Sequence, residues 1–148
     1  MVETPKREAA PKRAKASEKP KPPQVIGPAP TDAISQATKR PAEAGSIVIS
    51  DIALQHAKND HPEDFDEAVK VLKTKLRKPE FFGPPKPGAA GQTIAYYYVT
   101  LDQTGRAVVL PVSTDRNRYG NYEARSFYIA SAHTIDRRLK NGEIFPVK

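Results

Sequence analysis

The sequence predicts an α+β fold in which N-terminal helices pack on an antiparallel sheet of three or four strands. Two observations support this prediction. Residues 93–130 contain three short segments rich in β-branched and aromatic residues, each bounded by Gly, Asp or Asn. Residues 51–78 instead place apolar residues at helical spacing, between residues that begin and end helices. We therefore expect one compact domain over residues 46–148.

Residues 1–45 differ in composition from this domain. They contain more than half of the 15 prolines, many lysines and no aromatic residue. Such a segment has little apolar surface to bury, so we expect a disordered, basic, Pro-rich tail or linker. Three interpretations of this segment stay open, namely an arm that contacts nucleic acid, a linker from a larger polyprotein and an inert solubilising extension.

The charge and the residue types of the 148-residue chain limit its chemistry. The formal net charge of +7 favours polyanionic partners or simple solubility. Because there is no cysteine, disulfides, a thiolate nucleophile and a Cys-based zinc site are excluded. No apolar run approaches the roughly 20 residues of a membrane span, and no secretory signal is recognisable. We expect no membrane partner.

The elements follow in order after the tail. Residues 46–49 form a short strand or the lead-in to a helix, and Ser50 suits the N-cap of a helix that ends near Asn59. Pro62 suits the first position of a second helix, which ends before Pro79. The apolar stripe of this second helix consists of Phe65, Ala68 or Val69, Leu72 and Leu76.

The C-terminal half predicts the sheet. Residues 80–92, with three prolines and three glycines, are expected to be irregular. The three strands are predicted at 93–101, 106–114 and 122–130, with a tight turn at Gly105. A last short helix is capped by Ser131 and stopped by Gly142, and residues 143–147 return as an edge strand.

Alternation along the three strands separates two faces. The set expected to face the core is apolar: Tyr97, Val99, Leu101, Val108, Leu110, Val112, Phe127 and Ile129. The other set is rich in hydroxyls: Tyr96, Tyr98, Thr100, Ser113, Tyr122, Ser126 and Tyr128. We expect the hydroxyl-bearing face to be open to solvent and to a ligand.

The chain has few groups that could perform catalysis. A zinc site formed by His56, His61 and an acid is an open alternative, but no H-E-x-x-H motif is present. There is also no G-x-S-x-G motif and no glycine-rich phosphate loop. We therefore expect no metal and no cofactor.

Metal-free RNA cleavage uses the residue types that this chain has. Histidines transfer protons near neutral pH, arginines bind phosphoryl oxygens, and aromatic residues on a sheet stack unpaired bases. The candidate catalytic residues are His56, His61, Ser126, Tyr128 and Arg125, and the candidate substrate-binding residues are Arg118, Tyr98 and Thr100. The hypothesis requires the imidazoles to reach the hydroxyl-bearing face. Strict alternation places Arg125 opposite Ser126 and Tyr128 unless a bulge intervenes.

Several segments together resemble a known superfamily. They are I-S-D-I-A-L-Q-H-A-K-N-D-H-P-E-D-F, L-R-K-P-E-F-F, Y-Y-V-T-L-D-Q-T-G-R-A-V-V-L-P-V and Y-E-A-R-S-F-Y-I-A-S. Over residues 46–147 the chain resembles the phage-associated ribonuclease-like domains of the Barnase–EndoU–colicin–RelE superfamily, found in phage head-morphogenesis and polyvalent proteins. The resemblance implies helices before a four-stranded antiparallel sheet and metal-independent endoribonuclease or toxin activity. By position, the family's histidine falls on His56 or His61, and its late-strand polar residue on Ser126.

We expect from these observations a metal-independent endoribonuclease that cleaves RNA by transesterification at the 2′-OH. It would act in the cytoplasm of a host or target bacterial cell, and an immunity or antitoxin protein would be a partner. Two alternatives stay open: a non-catalytic nucleic-acid-binding module, and a structural or interaction domain of a phage or secretion-system protein.

Overall fold

The computed structural model describes residues 22–88 and 91–148, which form four helices and eight strands. The helices are α1 (Thr31–Thr38), α2 (Asp51–Asp60), α3 (Phe65–Lys75) and α4 (Ala132–Lys140). The strands are β1 (Gln24–Pro28), β2 (Ser46–Ile49), β3 (Phe81–Pro87), β4 (Thr93–Thr100), β5 (Ala107–Ser113), β6 (Tyr122–Ala124), β7 (Tyr128–Ala130) and β8 (Phe145–Pro146).

All eight strands of the described segments belong to one sheet in the order β1-β2-β6-β5-β4-β3-β8, with β7 also paired to β5. The β2–β6 pair is parallel, and the other pairs are antiparallel. The prediction of mixed helices and sheet is confirmed. The predicted sheet of three or four antiparallel strands is too small and is wrong about the direction of one pair.

Helices cover both faces of the sheet. The apolar set predicted for the core packs under α2 and α3, as expected, and also under α1, which lies in the predicted tail. Helix α4 packs on the opposite face through Ile135 and Leu139, so that face is only partly open. Three members of the predicted solvent face are buried, of which only Tyr98 packs in the cluster with α4: Tyr98 at 3 % exposure, Ser113 at 8 % and Tyr122 at 2 %. Tyr122 belongs to the core under α1–α3.

The predicted third strand is broken into β6 and β7. Opposite the break lies Pro111 of β5, which has no N–H with which to continue a ladder. Val112 pairs with Ala124, and Val109 pairs with Tyr128, so the third strand carries one extra residue between these pairs. This extra residue is a bulge that changes which way the following side chains face.

Strand β3 lies where the sequence predicts an irregular loop. Its register with β4 shifts between Gly83 and Lys86, which places Pro84 and Pro85 in an irregularity that needs no N–H donor. On its other side, β8 pairs only with Phe81 and Phe82. Pro84 and Pro85 are therefore tolerated because they do not have to complete a ladder on either side.

The predicted disordered tail of residues 1–45 is partly folded. For residues 1–21 the prediction lies outside the described residues. Strand β1 pairs antiparallel with β2, from Gln24 with Ile49 to Pro28 with Ser46. Helix α1 buries Ile34 at 2 % exposure in the main core. A few apolar side chains at the right spacing thus fold a segment whose overall composition is that of a linker.

The predicted caps Ser50 and Ser131 are confirmed, whereas α3 begins at Phe65, three residues after the predicted start at Pro62. The hydroxyl of Ser50 accepts a hydrogen bond from the N–H of Ala53, and the hydroxyl of Ser131 accepts one from the N–H of Thr134. Gly105 has a φ of 87°, as its tight turn requires. None of the helices in the described part of the chain is long and apolar enough to cross a lipid bilayer.

Candidate functional site

The first candidate site is a cavity of about 370 Å³ beside the C-terminal ends of the parallel strands β2 and β6. We call it the His56 cavity. Its polar lining consists of Ser50, His56, Glu123 and Arg125, and its remaining lining consists of Pro23, Val48, Ile52, Ala53 and Ala124. Ser50 is the N-cap of α2. His56 lies in the second turn of this helix and lines the cavity. Both His56 and Arg125 are exposed to solvent.

Two hydrogen bonds orient the charged groups of the His56 cavity. The side-chain amide of Asn117 donates to the Glu123 carboxylate at 2.9 Å. The Arg125 guanidinium donates to Gln92 Oε1 at 2.6 Å. Glu123 and Arg125 are two residues apart, which in an extended chain places both side chains on the same side. The cavity therefore combines an imidazole, a carboxylate and a guanidinium.

The second candidate site is a cavity of about 190 Å³ on the face of the sheet that α4 covers. We call it the tyrosine–arginine cavity. It is lined by Gly83, Lys86, Tyr96, Tyr98, Tyr128, Arg138, Glu143 and Ile144. The Arg138 guanidinium donates to the hydroxyls of Tyr98, at 2.7 Å, and Tyr128, at 3.3 Å. Strand alternation aims both tyrosines at α4, and the helix supplies the cation.

Burial and charge change the pKa values in the tyrosine–arginine cavity. Burial raises the pKa of Tyr98, and the hydrogen bond from Arg138 only partly offsets this. Burial by itself lowers the pKa of Arg138, but the hydrogen bonds to Tyr128 and Tyr98 outweigh it and leave the pKa above its ordinary value. At neutral pH the Tyr98 hydroxyl therefore stays protonated and Arg138 stays charged.

The structure separates the catalytic residues predicted from the sequence. The His56 cavity contains His56 and Arg125, whereas the tyrosine–arginine cavity contains Tyr98 and Tyr128, and no residue lines both. The expected single pocket of imidazoles and tyrosine hydroxyls is therefore not formed. The physical reason is that α2 packs on the face opposite to the one that carries Tyr98 and Tyr128.

The other predicted residues line neither cavity. His61 is the C-cap of α2, where its N–H donates to the carbonyl of Ala57. Ser126 is half-buried between β6 and β7. Thr100 ends β4, and its N–H donates to the Glu80 carboxylate at 2.7 Å. Arg118 is exposed on a loop, and its guanidinium lies 4.9 Å from the ring centroid of Tyr119.

Sequence reasoning missed Glu123, Arg138 and Lys86. A signal existed for Arg138, because it lies three residues after Ile135 and beside Leu139, on the apolar face of a short helix. The spacing of Glu123 and Arg125 was likewise visible in the sequence. No such signal existed for Lys86, which lies in a proline-rich segment.

Comparisons with protein-family models, with curated proteins and with solved structures found no match to this chain.

Proposed function

We propose that this chain is a metal-independent endoribonuclease that cleaves RNA in the His56 cavity. The observation that carries the proposal is that His56, Glu123 and Arg125 line one cavity. The proposed site differs from the one expected from the sequence, because Ser126 and Tyr128 are not part of it. The resemblance of residues 46–147 to ribonuclease-like domains supports the same class of reaction.

Each of the three groups has a role in the transesterification. The Glu123 carboxylate accepts the proton of the ribose 2′-OH, and a bond forms between this oxygen and phosphorus. The bond from phosphorus to the 5′-oxygen breaks, and His56 donates a proton to that leaving oxygen. Arg125 binds the phosphoryl oxygens, whose negative charge increases in the transition state. The products are a 2′,3′-cyclic phosphate end and a free 5′-hydroxyl end.

The charges of the site suit this assignment. Arg125 is held by the neutral amide of Gln92, so its positive charge is not cancelled by that partner. Asn117 donates one hydrogen bond to the Glu123 carboxylate. The other lone pairs of this carboxylate remain able to accept a proton. His56 supplies an imidazole, the side chain that most often acts as a general acid or base.

The test is incubation of total RNA with the purified full chain in the presence of EDTA. We expect fragments that end in 2′,3′-cyclic phosphate. His56→Ala and Glu123→Gln should each slow cleavage by about a hundredfold or more, the usual contribution of a general acid or base. His133→Ala is the matched control, because His133 is exposed on α4 and lies outside the His56 cavity.

Intact RNA after incubation with the wild-type chain, or full cleavage by His56→Ala, would contradict the proposal. His61→Ala belongs in the same series, because His61 was an equal candidate from the sequence. Loss of cleavage in His61→Ala with full activity in His56→Ala would move the active site to the end of α2. RNA that binds without being cleaved would favour a nucleic-acid-binding module instead. An immunity protein and a cytoplasmic location stay predictions.

A further inference from the structure

We propose that the tyrosine–arginine cavity is a binding site for a phosphate group of a nucleotide or an oligonucleotide. The site lies on the face covered by α4, shares no lining residue with the His56 cavity, and does not depend on RNA cleavage there. Its volume of about 190 Å³ is several times the roughly 30 Å³ that one water molecule occupies in the liquid. The directions of its hydrogen bonds and its charged groups favour an anionic ligand.

The hydrogen bonds of Arg138 fix the tyrosine hydroxyls as donors toward the cavity. A guanidinium has only donors, so in both of its bonds the tyrosine oxygen must accept. Each hydroxyl proton then remains available to a further partner. No protein acceptor receives it from Tyr98 or Tyr128 among the residues that the structure describes. A ligand rich in acceptors would satisfy both hydroxyls.

The charged groups of the cavity also favour an anion. Arg138 contributes a cation whose side-chain hydrogen-bond partners are neutral, and Lys86, on strand β3, contributes a second cation. The single acid in the lining, Glu143, accepts a hydrogen bond from Asn141 and forms no ion pair with Arg138 or Lys86 in the described chain. Phosphate oxygens match such a set of donors, because arginine binds them through charge-assisted hydrogen bonds.

A third tyrosine in the lining, Tyr96, favours a nucleotide over inorganic phosphate as the ligand. Tyr96 is half-buried, and its ring forms part of the lining beside the two hydroxyls. An aromatic side chain on a sheet is a surface on which an unpaired base can stack. Gly83, which pairs with Tyr96 across the strands, adds no side chain that would cover this ring.

The test is a nuclear magnetic resonance titration of the full chain with inorganic phosphate, adenosine monophosphate, adenosine and a short oligonucleotide without terminal phosphates. We expect the three phosphate-bearing compounds, but not adenosine, to shift the resonances of Tyr98, Tyr128 and α4. Saturation by the monophosphate alone would identify a free nucleotide as the source, and saturation by the oligonucleotide would identify a nucleic-acid strand. Both results support a phosphate site.

Matched variants distinguish binding in the tyrosine–arginine cavity from non-specific electrostatic attraction to a basic protein. Arg138→Gln should weaken binding about tenfold or more, since charged hydrogen bonds are among the stronger polar contacts. Arg137→Gln, which removes the same charge one residue away on the exposed side of α4, should leave the affinity nearly unchanged. Lys86→Gln is a second test at an exposed position, where folding is not at risk.

Equal effects of Arg138→Gln and Arg137→Gln, or equal binding of adenosine, would overturn the proposal. Absence of any shift with all three phosphate-bearing compounds would overturn it as well. Failure of the phosphate site and failure of the ribonuclease are distinguishable. His56→Ala should slow cleavage by about a hundredfold or more and leave these resonance shifts intact, whereas Arg138→Gln should weaken the binding that causes the shifts at α4.

Discussion

Tyr97 buries a hydroxyl group without a hydrogen-bond partner. Its ring lies in the core under α1–α3 at 0 % exposure, and its oxygen is the one orphaned side-chain atom found in the described part of the chain. Burial raises the pKa of Tyr97, and the nearby Tyr122 raises it further. The hydroxyl is therefore neutral at every ordinary pH and costs desolvation energy that no hydrogen bond returns.

We predict that Tyr97→Phe stabilises the protein, by about 1 kcal/mol, because it removes the unpaired polar atom and keeps the ring. Denaturant unfolding would measure the change. Tyr122→Phe is the matched control, since the Tyr122 hydroxyl donates to the carbonyl of Glu43 at 2.8 Å and accepts from its N–H at 3.2 Å. The control should lose about 1 kcal/mol. A clear loss of stability in Tyr97→Phe would contradict this account.

At the scale of elements, one arginine joins the β4–β5 hairpin to the start of α3. Arg106 forms ion pairs with Asp102 in the hairpin turn at 2.7 Å and with Asp64 at 3.0 Å. The side-chain hydrogen bond from Thr104 lowers the pKa of Asp102 most, and the one from Arg106 lowers it further. Arg106 thus holds the hairpin turn to the start of α3, and the ionised carboxylate of Asp102 helps to hold Arg106 in place.

This arrangement predicts a pH-dependent contribution to stability. Because folding lowers the pKa of Asp102, its contribution is complete above the ordinary aspartate pKa and is lost as the pH falls through the lowered value. Asp102→Asn should therefore reduce the melting temperature at neutral pH, and its difference from wild type should shrink on acidification. Thermal scans at several pH values would measure this difference.

Asp136→Asn is the control for this experiment, because it removes an acid from an exposed pair with Lys140 in α4. Exposed pairs contribute little to stability, so the change at neutral pH should be small. A melting-temperature deficit of Asp102→Asn that stays constant into the acidic range would show that ionisation of Asp102 is not what holds the turn.

At the scale of the whole molecule, some residues that the sequence assigns to the tail belong to the sheet and the core of the folded domain. Strand β1 adds an edge to the sheet, and α1 buries Ala33, Ile34 and Ala37 in the main core. The side chain of Gln36 also donates to the carbonyl of Lys148 and accepts from its N–H, both at 2.8 Å. The domain therefore begins within the described residues well before residue 46.

We predict that a chain lacking residues 1–45 has a free energy of unfolding more than about 3 kcal/mol lower than a chain lacking residues 1–21. The longer deletion removes several buried side chains at once, and a single buried Ile truncated to Ala already costs about 2–5 kcal/mol. Chemical denaturation of both truncated chains would measure the difference. Equal stability of the two truncated chains would show that the folded domain begins at residue 46, as the sequence predicts.

Local signals were the part of this fold that the sequence predicted well. The caps Ser50 and Ser131 and the turn at Gly105 follow from chemistry within a few neighbouring residues. The alternation of Tyr97, Val99 and Leu101 against the core has the same local basis. The broken third strand contains the bulge that the sequence left as an open possibility, and its position depends on Pro111 meeting a partner segment that the sequence does not identify.

The residues of the candidate sites also fall into two groups, those that the sequence identified and those that only the folded structure identified. His56 and Arg125 were candidates from residue type alone, and the structure places them in one cavity. Glu123 and Arg138 were not, since their importance depends on which neighbours surround them after folding. Tyr128 was expected beside the histidines, but the hydroxyl-bearing face that it shares with Tyr98 meets α4 instead of α2.

The sequence by itself determined the residue types, the caps, the turns and the two faces of the central strands, because these depend on contacts between residues close in the chain. Only the tertiary structure decided the parallel pairing of β2 with β6, the recruitment of β1 and α1, and the side of the sheet that each helix covers. Those choices depend on contacts between residues far apart in the chain, where burial of the whole apolar surface outweighs the composition of any one segment.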